Sequence, residues 1–159
     1  MKRVIIESPY AGRGNDEAER FNDLLDNERY ARRCMADALS RGEAPFASHL
    51  LYTQEGILDD EIPEERALGI EAGLIWGECA DRVCVYVDRG ISKGMIKGVE
   101  RAINEGREIV FRSLVSGEDY TIDEMTQVIG HAMSDVMARL ADGIGKMIEA
   151  IEEKYTGDQ

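Results

Sequence analysis

Long apolar runs are missing from this chain. No segment approaches the roughly 18 consecutive apolar residues of a membrane helix, and the opening Met1-Lys2-Arg3-Val4-Ile5-Ile6-Glu7 is too short an apolar stretch for a signal peptide. A soluble protein of the cytoplasm with no membrane partner is expected. Cysteine is scarce: Cys34, Cys79 and Cys84 form no C-x-x-C and leave one unpaired in any scheme, which argues against a disulfide framework and fits a reducing compartment. Histidine is scarcer still. His49 and His131 lie far apart with no second ligand in register, so no metal and no cofactor is expected. Positive charge is also short, with 19 Lys and Arg against 32 Asp and Glu and a net charge of -13, which argues against a nucleic-acid polymer as partner. A small anionic ligand remains compatible, because a helix N-terminus offers about half a positive charge and distant surface charge is screened beyond roughly 8 Å.

What is present is an alternation of short β-rich runs and helical stretches. A chain of 159 residues is long enough to bury roughly 70% of its unfolded surface in one core. Arg3 to Glu7 reads as a strand and ends in the loop Ser8-Pro9-Tyr10-Ala11-Gly12-Arg13-Gly14, which brings backbone, a hydroxyl and a phenol together without a G-x-G-x-x-G fingerprint. Asp16 to Asp26 reads as a short helix or lid, and Asn27 as the cap of a better helix carrying Tyr30, Ala31, Cys34, Met35, Ala38 and Leu39 up to Gly42. Ala44 to Tyr52 reads as a second strand or extended loop with Phe46 and His49. Pro63 opens a helix whose buried face is assigned to Ala67, Leu68, Ile70, Leu74 and Ile75.

The chain is organised around residues 80–95. Val83 to Val87 reads as a buried strand, Asp88-Arg89-Gly90 as a turn, and Ser92 and Gly94 lead into a helix over Met95 to Glu105. Strand, glycine-bearing loop and helix N-terminus in succession are where an open parallel sheet binds ligands. Glu108 to Arg112 supplies a fourth strand, so an α/β parallel sheet of about four to five strands with helices on both faces is expected over residues 1–115. Residues 116–159 read as a long C-terminal helical tail. Thr121 and Glu124 form its capping box, and an apolar stripe from Ile122 to Ile151, rich in methionine, is assigned to self-association as a homodimer or higher homo-oligomer.

The loop Glu7-Ser8-Pro9-Tyr10-Ala11-Gly12, the strand Ala80 to Asp88 and the following Gly90-Ile91-Ser92-Lys93-Gly94-Met95 resemble the nucleoside 2-deoxyribosyltransferase-like superfamily, in particular a branch of small phage and bacterial proteins. The resemblance covers roughly residues 2 to 115. It implies a flavodoxin-like fold, oligomeric subunits, and cleavage or exchange of the N-glycosidic bond of deoxynucleosides or their 5′-monophosphates. Enzymes of that superfamily carry Ser-x-Gly-x-x-x-Glu at this point, the hydroxyl and glycine amide binding phosphate or sugar and the glutamate attacking the anomeric carbon. Ser92 and Gly94 match the first two positions, but the third is Gly98. The nearest acid, Glu100, lies about 200° around the helix from that position.

Three functions are therefore expected in order. The first is binding of a nucleotide- or nucleoside-derived small molecule without turnover, as a phage protein sequestering a nucleotide immune signal of its host would do. The second is an active N-glycosidase or deoxyribosyltransferase with a relocated acid, for which Glu7 and Glu100 are the candidates and Asp88 or Glu71 further substitutes. The third is a structural or interaction module. Ser8, Tyr10, Asp88, Ser92, Gly94 and Met95 are the expected ligand-binding residues, with Phe46 and His49 as further walls.

Overall fold

In the computed structural model, residues 1–122, 124 and 125 are described. The strands are β1 (Arg3–Glu7), β2 (Ala44–Phe46), β3 (Arg82–Tyr86), β4 (Glu108–Arg112) and β5 (Asp119–Tyr120); the helices are α1 (Glu17–Ser40), α2 (Ser48–Leu51), α3 (Pro63–Glu78) and α4 (Lys93–Asn104). They form one sheet in the order β2-β1-β3-β4-β5, parallel except for β5, which returns antiparallel to β4. An order of 2-1-3-4-5 is the flavodoxin-like arrangement, and the chain reverses its direction of travel across the sheet beside β1. The crevice above the carboxyl ends of β1 and β3 is therefore the expected ligand position.

Strand alternation sorts the core into two layers. Val4, Ile6, Cys84 and Tyr86 face α1, where Tyr30, Cys34 and Ala38 cover them. Ile5, Val83, Val85 and Phe111 face the other way and pack with Met95, Val99, Ala102 and Ile103 of α4. Glu7 follows Ile5 at a spacing of two, so it projects on the α4 side.

Several local expectations are corrected. Residues 17–40 form one continuous α1 capped by Asp16, whose side chain accepts from Glu19 N at 2.8 Å. Asn27 is no cap: it is fully buried, and its Nδ2 donates to the carbonyls of Tyr10 and Ala11 at 3.1 and 3.2 Å. Arg89 Nε donates to Asn27 Oδ1 at 2.7 Å. One amide thus ties the loop after β1 to the loop after β3. Leu68 and Ile75 lie on the open side of α3, 60% and 55% exposed, while the helix buries Gly73 and Gly77.

The linker expected at residues 116–119 ends in β5. Thr121 and Glu124 bond reciprocally, Glu124 N donating to Thr121 Oγ1 and Thr121 N to Glu124 Oε2, and Met125 is buried in the α4-side layer. The remaining tail and its assembly role lie outside the described residues. No helix among the described residues is long and apolar enough to cross a membrane.

Candidate functional site

A cavity of about 130 Å³ opens at the carboxyl ends of β1 and β3 and runs between the sheet and α3. Its rim is shared with a wider groove of about 1320 Å³ between the loop after β1 and residues 53–66, to which Tyr10, Asp60 and Arg66 contribute from both sides. Glu7, Ser8, Tyr10, His49, Ser92, Gly94 and Met95 all line the inner cavity.

Glu7 reaches it from the end of β1. Burial holds its carboxyl up at about 8, with the charge of Arg107 opposing the shift. Among the described residues the carboxyl accepts no hydrogen bond. Its position depends on the residue facing it. A Cβ at Gly98 would stand 2.6 Å from Glu7 Cδ and closer still to Oε1, so only glycine at 98 leaves the carboxyl its place. The carboxyl of Glu7 therefore occupies the space beside α4 that a side chain at 98 would need.

Ser92 caps α4. Its Oγ accepts from Met95 N at 3.3 Å, and Met95 Sδ in turn accepts from Ser92 N at 3.3 Å. The hydroxyl keeps its proton to donate, and the next amides belong to the first turn of α4, where no intrahelical acceptor exists. Such donors are suited to the oxygens of a sugar or an anion.

Ser8 Oγ and His49 Nε2 are hydrogen-bonded at 2.9 Å, and the edge of Tyr10 meets the His49 ring at 6.2 Å between centroids. Burial depresses His49 to about 4 and raises the Tyr10 phenol, so both are neutral at pH 7. They offer hydrogen bonds rather than charge.

Four other candidates fall elsewhere. Asp88 lies on the α1 side, the face that Tyr86 shares at a spacing of two. Its Oδ2 accepts from Tyr30 OH at 2.7 Å and Leu114 N at 2.8 Å, and its Oδ1 from Ser113 Oγ. Those bonds hold its carboxyl below the usual range against the effect of burial. Phe46 is covered by Trp76, with ring centroids 5.6 Å apart, and does not line the cavity. Glu100 is exposed on α4, as its angular offset from Gly98 dictates, and Glu71 is exposed on α3.

The cavity also gathers residues that sequence reasoning passed over, Thr53, Asp60, Arg66 and Arg107 among them. Asp60 and Arg66 form an ion pair at the rim. Arg107 precedes β4 and reaches the cavity beneath α3. The signal that could have found it is the spacing of Gly69, Gly73 and Gly77, which bares one edge of α3. Among the described residues no group of three His, Cys, Asp or Glu side chains is gathered to hold a metal ion.

No curated protein matches the chain. Among solved structures it is similar to the 2-deoxyribosyltransferase of the psychrotolerant bacterium Bacillus psychrosaccharolyticus, at 17% identity and a TM-score of 0.49, over 77% of this chain and 80% of that one. Residues 2–112, the whole of the sheet up to the end of β4, match a family described as Domain of unknown function (DUF7768), and the chain belongs to that family.

Proposed function

We propose that the cleft binds a nucleoside- or nucleotide-derived small molecule and cleaves or exchanges its N-glycosidic bond, with Glu7 as the reacting carboxyl. The single observation that carries this reading is the seat of Glu7 over Gly98, beside the Ser92–Gly94 turn. The expectation of holding rather than cutting rests on the missing acid at 98, and the seat of Glu7 beside that position supports cutting instead. Protonated, Glu7 gives its proton to the base, which leaves with the electron pair of the N–C1′ bond, and the resulting carboxylate takes a proton from the water that adds at C1′. Ionised, it bonds to C1′ as the base leaves with that pair and gains a proton from solvent, and water or a second base then displaces the carboxylate. Ser92 and the amides after it hold the sugar or 5′-phosphate, and neutral His49 with Ser8 and Tyr10 completes the wall.

Incubation with deoxynucleosides and their 5′-monophosphates, read as free base by chromatography, tests it. Base release should fall about 100-fold or more in Glu7→Gln. Release unchanged in that variant would overturn the assignment.

A second reading, sequestration of a nucleotide signal, is favoured by one observation. Glu7 is protonated near pH 7 and has no hydrogen-bond partner among the described residues to ionise it, so it is no ready nucleophile. Native mass spectrometry with nucleotide second messengers such as a cyclic ADP-ribose derivative or a cyclic oligonucleotide, followed by heat release, distinguishes the two. Intact ligand with no free base supports holding; free base supports cutting.

A further inference from the structure

One edge of α3 is bare. Gly69, Gly73 and Gly77 recur every four residues on a single helix face, and all three line the cavity together with Ile5 and Val83 of the sheet. Other side chains lie against this edge: a Cβ at 73 would stand 2.6 Å from Ser48 Oγ, and one at 77 would stand 3.2 Å from both Nη atoms of Arg107, so the glycines leave room for Ser48 and for the guanidinium. The space between helix and sheet is a slot with apolar walls.

Arg107 lines the same slot with a side chain only 10% exposed. Its Nε donates to Glu105 Oε2 at 2.8 Å. Among the described residues neither Nη has an acceptor, so the outer fork of the guanidinium is unused. The two Nη atoms are open to the cavity and can give their donors to the acceptors of a ligand.

We propose that Arg107 reads the base of the bound nucleoside, receiving two adjacent acceptors of the base edge on its Nη pair. The inference rests on the N-glycosidic reading of the cleft and adds the class of base. A planar ring buries a face on Ile5 and Val83, with its edge toward the guanidinium that lies against Gly77. A phosphate suits the fork but not the walls, because its hydration is lost to apolar surface and one guanidinium does not replace it. Adjacent acceptors occur as O6 and N7 of guanine and hypoxanthine and as O2 and N3 of cytosine. Adenine and thymine offer no such pair: the amino group stands beside N1 and N7 of adenine, and N3–H beside O2 and O4 of thymine, so the fork meets a like group.

Calorimetric titration of the full chain tests this, with Glu7→Gln in the background so that bound nucleosides stay intact. Deoxyguanosine, deoxyinosine and deoxycytidine should bind about tenfold tighter, or more, than deoxyadenosine and thymidine. Arg107→Met should bring all five to comparable affinity, and Arg107→Lys, which keeps the charge and loses the fork, should do the same. Equal affinities in the parent, or a preference that survives both substitutions, would overturn the assignment while leaving the N-glycosidic reading in place. Inorganic phosphate bound by the parent and lost in Arg107→Met would make Arg107 an anion site instead, which also overturns it. Failure of every nucleoside to bind would sink the reading of the cleft itself.

Discussion

Glu7 and His49 stand in one cavity and titrate in opposite senses. An unfolded glutamate loses its proton near 4.5 and this one near 8, so the stability it contributes is complete below 4.5 and is lost as pH rises through 8. His49 moves from 6.5 to about 4, so its contribution is complete above 6.5 and is lost as pH falls through 4. Above pH 6.5, where the His49 contribution is complete, thermal unfolding of the wild type should therefore weaken up to pH 8.5, by about 1.5 kcal/mol after allowance for solvent in the cleft. In Glu7→Gln that decline should vanish. A wild-type stability that is flat over the same range would mean that Glu7 ionises normally and is solvated. Asp88 is the contrasting residue: two positions along from Tyr86, it spends its acceptors on Tyr30, Ser113 and Leu114 and fastens α1 to the ends of β3 and β4.

At the scale of elements, the site depends on how closely β1 approaches α4. Gly98 is buried on α4 because Glu7 occupies the volume of any side chain there. Gly98→Ala should displace the carboxyl and cut base release about tenfold or more, since a small misplacement of a reacting group is costly. Moving the acid back should restore it. The double substitution Glu7→Ala with Gly98→Glu rebuilds Ser-x-Gly-x-x-x-Glu, and base release above that of Glu7→Ala alone, measured by chromatography, is the expected result. No recovery would mean that the carboxyl at Glu7 works from a position that 98 cannot reach. α3 carries a related lesson. Helical spacing of Leu68 and Ile75 points to a buried stripe, yet the helix turns its glycines inward, Gly73 against Ser48 of α2 and Gly77 against Arg107, and leaves the large side chains outward.

Across the whole molecule, a buried ionic network joins the far edge of the sheet to α1 and the start of β2. Arg112, 1% exposed, donates to Glu43 Oε2 at 2.8 Å and to Asp119 Oδ1 at 2.9 Å, and its Nη1 reaches Tyr86 OH at 3.3 Å. Arg82 donates to Glu43 from the neighbouring strand at 2.9 Å. Arg112→Met should cost about 3 kcal/mol in urea unfolding, at the low end for a broken buried pair because Arg82 still reaches Glu43. An unchanged midpoint would show that water replaces the guanidinium. This network lies on the α1 side, away from the cleft, so nucleoside binding should survive the substitution.

Local patterning was enough to locate β1, β3 and β4, the helix after Ser92 and the capping pair Thr121–Glu124, because alternation, β-branched runs and capping chemistry act over a few neighbouring residues, while the run expected as a strand or loop from Ala44 to Tyr52 is strand only to Phe46 and then turns into α2. It also picked out Ser8, Tyr10, His49, Ser92, Gly94 and Met95, which the fold brings to one cavity since loops at the carboxyl ends of adjacent strands meet. Patterning could not say which of Glu7, Asp88, Glu71 and Glu100 would face that cavity. That choice follows from strand pairing and from a helix close enough to β1 for Glu7 to fill the space above Gly98. Arg107 was hidden for the same reason: its approach to the slot depends on the bare edge of α3, a contact 30 residues away in the chain at Gly77. Spacing along a chain fixes which faces exist, and only packing decides what each face meets.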